Sequence, residues 1–293
     1  MKSVMITGAN RGIGFETALA FGRAGYQVYA TMRNPSGAIE LSNLANKEAL
    51  NLKLLELDVD SDESVKNCFS EIYKETEHLD VLINNAGIER HGAIEEMDIS
   101  VFKQVMETNY FGVIRCVQAV LPKMRERGSG SIINVASVAG RISSSPLAPY
   151  AASKFALEAV SEALAQEVKP FGIRVKIVEP GIINTDMAKD IQHAKRNSNY
   201  PQAYRFGGMF AASLENPTSP SLVADTMLSL AQSKDWDLRH PVGPDAIPFL
   251  DWRASMTDEQ WTDWNAADDE TWYQNVTESF GLDARAHAEK VNS

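Results

Sequence analysis

Cysteine is scarce: two in 293 residues. That excludes a disulfide-stapled scaffold and a thiolate metal cluster. Cys68 and Cys116 both fall inside apolar helical patterns, so buried thiols are expected. Long apolar runs are missing too. None reaches the ~18 residues of a membrane span. The N-terminus enters a strand-like run at once, which leaves no room for a signal peptide and makes a cytoplasmic location the default expectation. Positive charge is in deficit. The net charge of −11 argues against a nucleic-acid partner. Residues 251–293 hold ten acidic and three basic side chains, so −7 of the −11 sits there, read as a solvated face or flexible end. Internal repeats and low-complexity segments are also missing. A hydrophobic content of 44% is that of a soluble globular chain.

What is present is an alternation. Short apolar runs near 3–7, 26–31, 53–57, 80–84, 131–136, 174–179 and 237–242 are separated mostly by helical patterns. This predicts an α/β fold, a doubly wound parallel sheet with helices on both faces. Right-handed crossovers put the carboxyl ends of the strands on one edge, where open sheets of this kind bind ligands. The groups that follow these runs are chemical ones: the turn Gly8, Gly12, Gly14; Asp58-Val59; Asn84-Asn85-Ala86-Gly87; Ser137; and Pro180-Gly181. A strand, a glycine turn and a helix in succession form a cradle for a pyrophosphate, although such a turn also serves purely structural ends. Tyr150 and Lys154, four residues apart, share a helix face. An ammonium beside a phenol favours the phenolate and is expected to lower the tyrosine pKa from ~10. Such a tyrosine exchanges a proton with an alcohol or ketone near neutral pH.

These motifs, in this order, resemble the short-chain dehydrogenase/reductase family. The likeness is close over residues 2 to about 185 and looser to about 245. The form Thr-Gly-xxx-Gly-Ile-Gly with Asn-Asn-Ala-Gly is similar to its compact branch. Val28–Arg33 and Ser153–Glu158 resemble hydroxysteroid and retinol dehydrogenase members. The resemblance implies a Rossmann-type fold, assembly as a homodimer or homotetramer, and interconversion of an alcohol and a ketone or aldehyde by hydride transfer. It also implies roles. Tyr150 is the general acid or base, and Lys154 tunes it and binds the nicotinamide ribose. Ser137 holds the substrate oxygen, and Asn109 fixes a water in a relay to Lys154. For the cofactor it implies Gly8, Asn10, Arg11, Gly12, Ile13 and Gly14 at the phosphates and Asp58 and Val59 at adenine. Asn85, Ala86 and Gly87 would line the adjacent ribose, with Tyr150 and Lys154 nearby. Pro180, Gly181, Ile183 and Thr185 would stand at the nicotinamide. Asp80 and Asn84 are read as braces of the sheet and turn.

The end of the second strand bears on cofactor choice. An NAD site usually carries a carboxylate there, and an NADP site a nearby arginine. Here Thr31 or Met32 occupies the acidic position, Arg33 follows, and Arg11 lies in the glycine turn. NADP(H) is therefore favoured over NAD(H), the other reading being that both arginines are only solvated. The partner is then a small-molecule alcohol or ketone, with no nucleic acid and no membrane span.

Two domain-level parts are expected: residues 1–245 as dinucleotide-binding and catalytic domain, and 246–293 as an acidic, tryptophan-rich helical extension. Within the first, the resemblance implies a specificity loop after Pro180-Gly181, here residues 186–220. Its Met187, Ile191, Tyr200, Tyr204, Phe206, Met209 and Phe210 either close over a bulky apolar ligand as a lid or pack on the core. In the extension, Thr257 to Gln260 fits a capping box. Trp252, Trp261, Trp264 and Trp272 are expected to pack on the domain, then on a partner subunit, then at the substrate mouth, in that order. The chain is expected to fray from about Asp283. Glu89, Arg90 and His91 are candidate polar contacts, with His91 read as a surface residue. The alternative to an enzyme is a non-catalytic dinucleotide-binding regulatory or scaffold protein on the same fold.

Overall fold

The computed structural model describes residues 1–191 and 198–290. The seven apolar runs become β1 (Ser3–Thr7), β2 (Gln27–Met32), β3 (Leu52–Glu56), β4 (Val81–Asn84), β5 (Gly130–Val135), β6 (Ile173–Pro180) and β7 (Arg239–Val242). They form one sheet in the order β3-β2-β1-β4-β5-β6-β7, with every pairing parallel. The chain builds outward from β1 first one way, then the other. The reversal between β1 and β4 is the switch point at which such sheets open a crevice. The register aligns the carboxyl ends: Thr7 lies beside Thr31, and Val135 beside Val178.

Helices α1 (Gly12–Arg23), α2 (Ile39–Lys47), α3 (Asp62–Glu75), α4 (Ile99–Met106), α5 (Gly112–Arg127) and α6 (Ala148–Val168) connect the strands. After β6 come α7 (Asp186–Ile191), α8 (Gln202–Ser213) and α9 (Pro220–Gln232). Strand periodicity divides the interior in two. Val4, Ile6, Val28 and Ala30 face one way, into a core with Leu19 and Phe21 of α1 and Met227 of α9. Met5, Tyr29, Leu82 and Ile132 face the other way, against Phe69 of α3, Val120 of α5 and Leu157 of α6. Cys68 and Cys116 are buried free thiols in that second core, as expected. Asp80 and Asn84 brace the sheet. Asp80 pairs with Arg127 at 3.0 Å and accepts the Ser3 amide at 2.7 Å, and Asn84 Nδ2 donates to Asn134 Oδ1 at 2.8 Å.

Beyond β7 the chain adds α10 (Ala246–Ala254), α11 (Asp258–Ala266), α12 (Asp269–Phe280) and α13 (Ala284–Lys290). The expected capping box opens α11. Thr257 Oγ1 accepts the Gln260 amide at 3.2 Å, and Gln260 Oε1 accepts the Thr257 amide at 2.9 Å. Fraying from Asp283 is not what the structure has. Ala284 and Ala288, one turn apart, are buried against α8, where a methyl on Gly208 would lie 2.4 Å from the Ala284 carbonyl. Small residues on both helices permit that approach, a contact between distant segments that local polarity hides. Phe206 and Met209 of α8 join Trp272, Tyr273 and Val276 of α12 in a third apolar cluster. Among the described residues, no helix is long and apolar enough to cross a membrane.

Candidate active site

The glycine turn is built by β1 ending and α1 beginning at the switch point. Gly8 and Gly12 adopt φ of +68° and +56°, which side chains resist. Gly14 lies so close to its neighbours that a methyl there would be 2.3 Å from the Gly8 carbonyl and 2.5 Å from Asn85 Nδ2. The Arg11 N-cap provides no side-chain acceptor for the first turn of α1, so its amides are available to an anion. The turn is locked to the end of β4. Thr7 Oγ1 accepts the amides of Asn85 (3.0 Å) and Ala86 (2.9 Å), while Asn85 Nδ2 donates to the carbonyls of Thr7 (2.9 Å) and Gly8 (3.1 Å). Thr7 is a positioning residue the sequence reading missed. Its only signal was its place before Gly8 at a strand end.

A single cleft of about 530 Å³ runs along this rim. It is lined by Gly8, Asn10, Arg11, Gly12, Ile13, Arg33, Asp58, Val59, Asn85, Ala86 and Gly87. Ser137, Tyr150, Lys154, Pro180, Gly181, Ile183 and Thr185 continue it. Of the residues expected from sequence to act in catalysis or hold the cofactor, Gly14 and Asn109 stand behind it. Gly14 is buried under the turn, and Asn109 is 1% exposed. Asn109 sits in a π turn, Glu107–Phe111, between α4 and α5. Such turns recur at functional sites. Its side chain bonds both the amide (2.8 Å) and carbonyl (2.9 Å) of Ile88 and the Ser153 hydroxyl (2.9 Å). The side chain thus braces the Gly87 turn from behind the cleft.

Tyr150 stands in the first turn of α6, where Pro149 suits an N-terminal position. Lys154 Nζ lies 5.6 Å from the Tyr150 ring centre and donates to the Val135 carbonyl at 2.8 Å. The expected depression of the tyrosine pKa is not found. Burial pushes the phenol up to about 12, the nearby Glu89 adds to the rise, and a hydrogen bond with Ser137 opposes it. Desolvation decides the outcome for Tyr150, and burial likewise lowers Lys154, to about 8. Ser137, the N-cap of a short turn, accepts the Ala139 amide at 3.1 Å and lies 3.4 Å from the Pro180 carbonyl. Arg33 and Arg11 are both exposed at the other end of the cleft, with Arg11 3.4 Å from Asp186. His91 is not among the residues that line the cleft. It is half-buried, with Nδ1 3.1 Å from the carboxylate of Glu89, which itself lines the cleft and is buried.

Residues 192–197 of the expected specificity loop lie outside the described residues. The rest of that stretch is largely helical, and its apolar side chains divide between the cleft wall and the third apolar cluster. Met187, Ile191, Phe206, Met209 and Phe210 line the cleft, while Ile191, Phe206 and Met209 also belong to the third core. Tyr200 and Tyr204 instead bond Glu95 and Asp269. The tryptophans pack on the domain, as expected first, with Trp272 buried against α8 and Trp264 beside it, and they also reach the cleft. All four of the extension line the cleft, with Trp252 in edge contact with Trp261, Trp264 and Phe280 at 4.9 Å each. Trp261 Nε1 donates to the Ser143 carbonyl at 3.1 Å, clipping α11 to the segment between Ser137 and Tyr150. Spacing in sequence could not show this, since the contacts span more than a hundred residues.

Known proteins are similar to this chain in sequence and fold. Residues 2–196 match the family model described as short chain dehydrogenase. Oxidoreductase BOA17 of Botryotinia fuckeliana is 36% identical over 275 residues, covering 91% of this chain and 98% of that protein. Retinol dehydrogenase 8 of Homo sapiens is 42% identical over 190 residues, 63% of this chain and 60% of that protein. A crystal structure of a short-chain dehydrogenase from Streptomyces avermitilis matches with a TM-score of 0.76 at 32% identity, covering 90% of this chain and 95% of that one.

Proposed function

The chain belongs to the short-chain dehydrogenase family, and from that premise we propose that it is an NADP(H)-dependent oxidoreductase interconverting an alcohol and a ketone or aldehyde on a bulky apolar substrate. One observation carries the reading. Ser137, Tyr150 and Lys154 meet in the same cleft as the glycine turn, and aromatic side chains line its other part. Turnover of NADPH with a panel of steroids, retinoids and aryl ketones tests it. Tight NADPH binding without oxidation by any carbonyl would instead favour a binding protein.

The dinucleotide supplies or accepts the hydride when bound. The residues of the turn fit it: free first-turn amides, glycines that leave room, and a wall at Gly181 and Thr185. The chain's own part is to hold the substrate oxygen and move a proton. A phenol held near 12 is protonated at neutral pH, which suits donation to a carbonyl oxygen as negative charge develops there. Ser137 holds that oxygen and steadies the phenolate that results. Lys154, charged below about pH 8, stabilises the phenolate from one helical turn away. Its use of the Val135 carbonyl fixes its position.

NADP(H) is supported by the lack of a carboxylate at the end of β2, where Thr31 and Met32 stand, and by Arg33 at the cleft. Arg33→Asp replaces attraction to the extra phosphate with repulsion. Hydrogen bonds to charged groups contribute roughly 1.5–3 kcal/mol, so NADPH affinity is expected to fall about tenfold or more while NADH affinity changes little. Isothermal titration with both nucleotides checks this, and tighter NADH than NADPH binding in the wild type would reverse the assignment.

The apolar wall supports a bulky substrate. Phe210 is half-buried, lines the cleft and packs on Phe206 with ring centres 4.9 Å apart. Phe210→Ala is expected to lower kcat/KM for a steroid-sized ketone about tenfold relative to a small ketone, within the ~1.5–3 kcal/mol of one buried side chain. A modest loss of melting temperature accompanies it, because the ring also packs. An unchanged ratio with the same thermal loss would leave Phe210 a packing residue only.

A further inference from the structure

Behind the reacting groups, two carboxyl side chains are buried against each other. Glu158 lies on α6 one turn past Lys154, and Glu179 precedes Pro180 at the end of β6. Glu158 is 5% exposed and Glu179 fully buried. Each gives one oxygen to an arginine: Arg239 Nε donates to Glu158 Oε2 at 2.9 Å, and Arg141 Nη1 lies 3.4 Å from Glu179 Oε1. The other two oxygens, Glu158 Oε1 and Glu179 Oε2, have no donor. Yet the two side chains are within hydrogen-bonding reach of each other. Two carboxylates only repel, whereas a carboxylic acid and a carboxylate bond strongly. One shared proton supplies the donor that the pair lacks.

We propose that Glu158 and Glu179 hold one proton between them, and that this acid pair is a positioning element that locks the helix of Tyr150 and Lys154 to the strand end bearing Pro180-Gly181 and acts on Lys154 from one helical turn away. The packing around the pair fits this use. A methyl on Gly140 would lie 3.0 Å from Glu158 Cγ and 3.1 Å from the Lys154 carbonyl, so the segment after Ser137 packs closely on Glu158. The charged and titratable groups that face it are Lys154 and Glu162 on α6, Arg239 and His240 on β7, and Arg141 after Gly140. Arg239 also reaches Glu162, so it is shared between two acids. Burial first, and then Glu179, raise Glu158 to about 7, against the pull of Arg239. Burial lowers Lys154, and the negative charge of Glu158 opposes that fall. The two sites thus titrate in opposition. As the pair loses its proton, its second negative charge keeps Lys154 protonated to higher pH.

The sign of the linkage gives the test. The folded pKa of Glu158 lies above its ordinary 4.5. Its contribution to stability is therefore full below about 4.5 and lost as pH rises through about 7. Wild-type melting temperature is expected to fall between about pH 5 and pH 8, and Glu158→Gln, which keeps a donor to Glu179 but cannot ionise, is expected to lack that fall. In infrared difference spectra the wild type is expected to show a protonated-carboxyl band at about pH 6 that disappears in the variant. The alkaline limb of kcat/KM is expected to move to lower pH in Glu158→Gln, since the charge supporting Lys154 is gone. Parallel melting profiles, or no protonated-carboxyl band in the wild type, overturn the shared proton. An unmoved alkaline limb overturns the action on Lys154. Should Glu158→Gln fail to fold, Glu179→Gln tests the shared proton in its place, with the protonated-carboxyl band at about pH 6 and the melting fall both expected to weaken as Glu158 loses the partner that raises it, and the wild-type spectra need no variant. Only the action on Lys154 rests on the hydride-transfer reading. The melting and infrared measurements need no turnover, so a failure of that reading is distinguishable from a failure of this one.

Discussion

Tyr150→Phe is expected to lower turnover at least ~100-fold, the low end of what a positioned general acid contributes, while NADPH still binds. The substitution removes one oxygen and its proton and keeps the ring. That ring stays under the Lys154 ammonium, 5.6 Å from its centre, so the lysine keeps its neighbour. Ser137 loses one hydrogen-bond partner but retains the Ala139 amide at 3.1 Å. Nucleotide binding persists because the glycine turn is held by Thr7 and Asn85, whose four bonds do not involve Tyr150. Stability should change little, since a hydroxyl that leaves a cleft wall exposes no unpaired buried group. Stopped-flow oxidation of NADPH with a saturating ketone measures the loss, and fluorescence titration measures the binding. Turnover within a few-fold of wild type would remove Tyr150 from the mechanism. A parallel loss of NADPH binding would make it a structural residue of the site.

Some of this was legible from sequence and some was not, for separable reasons. The sheet was legible because strand burial has a period of two and the chain alternates elements. The register then follows, and the chemical groups after Thr7, Asn84, Val135 and Pro180 fall on one rim. Local chemistry was legible as well. The Thr257–Gln260 capping box depends on residues three apart and forms as written. The state of Tyr150 was not. Its i,i+4 lysine is visible in sequence, but the desolvation that decides the outcome depends on burial created by segments far along the chain. The same holds for the buried partnership of Glu158 and Glu179 and for the docking of Ala284 and Ala288 on Gly208. Each joins positions that only the closed fold brings together. The tryptophans are the plainest case. Their number predicted burial, and nothing local said that the cleft would provide it.

Trp252→Ala is accordingly the substitution expected to separate large from small substrates most. Trp252 is the hub of the aromatic wall, with three ring partners at 4.9 Å, and it lines the cleft that Tyr150 also lines. Removing it takes away a large apolar face and unpacks Trp261, whose bond to the Ser143 carbonyl ties α11 across the site. Burial of one large side chain against a ligand contributes up to ~3 kcal/mol, so kcat/KM for a steroid-sized ketone is expected to fall about 30-fold or more. A small ketone that never reaches the wall should keep its kcat/KM within about threefold. NADPH affinity should be unchanged, because the glycine turn rests on the sheet cores and not on the extension. Melting temperature should drop, since truncating a packed tryptophan leaves a void. Trp236→Ala is the control. Trp236 is 46% exposed, stacks with Lys169 and lies off the cleft, so neither substrate should notice its loss. Equal losses on both ketones in Trp252→Ala would mean that the wall shapes the catalytic groups and does not select the substrate. No loss on either would return the extension to a packing role alone.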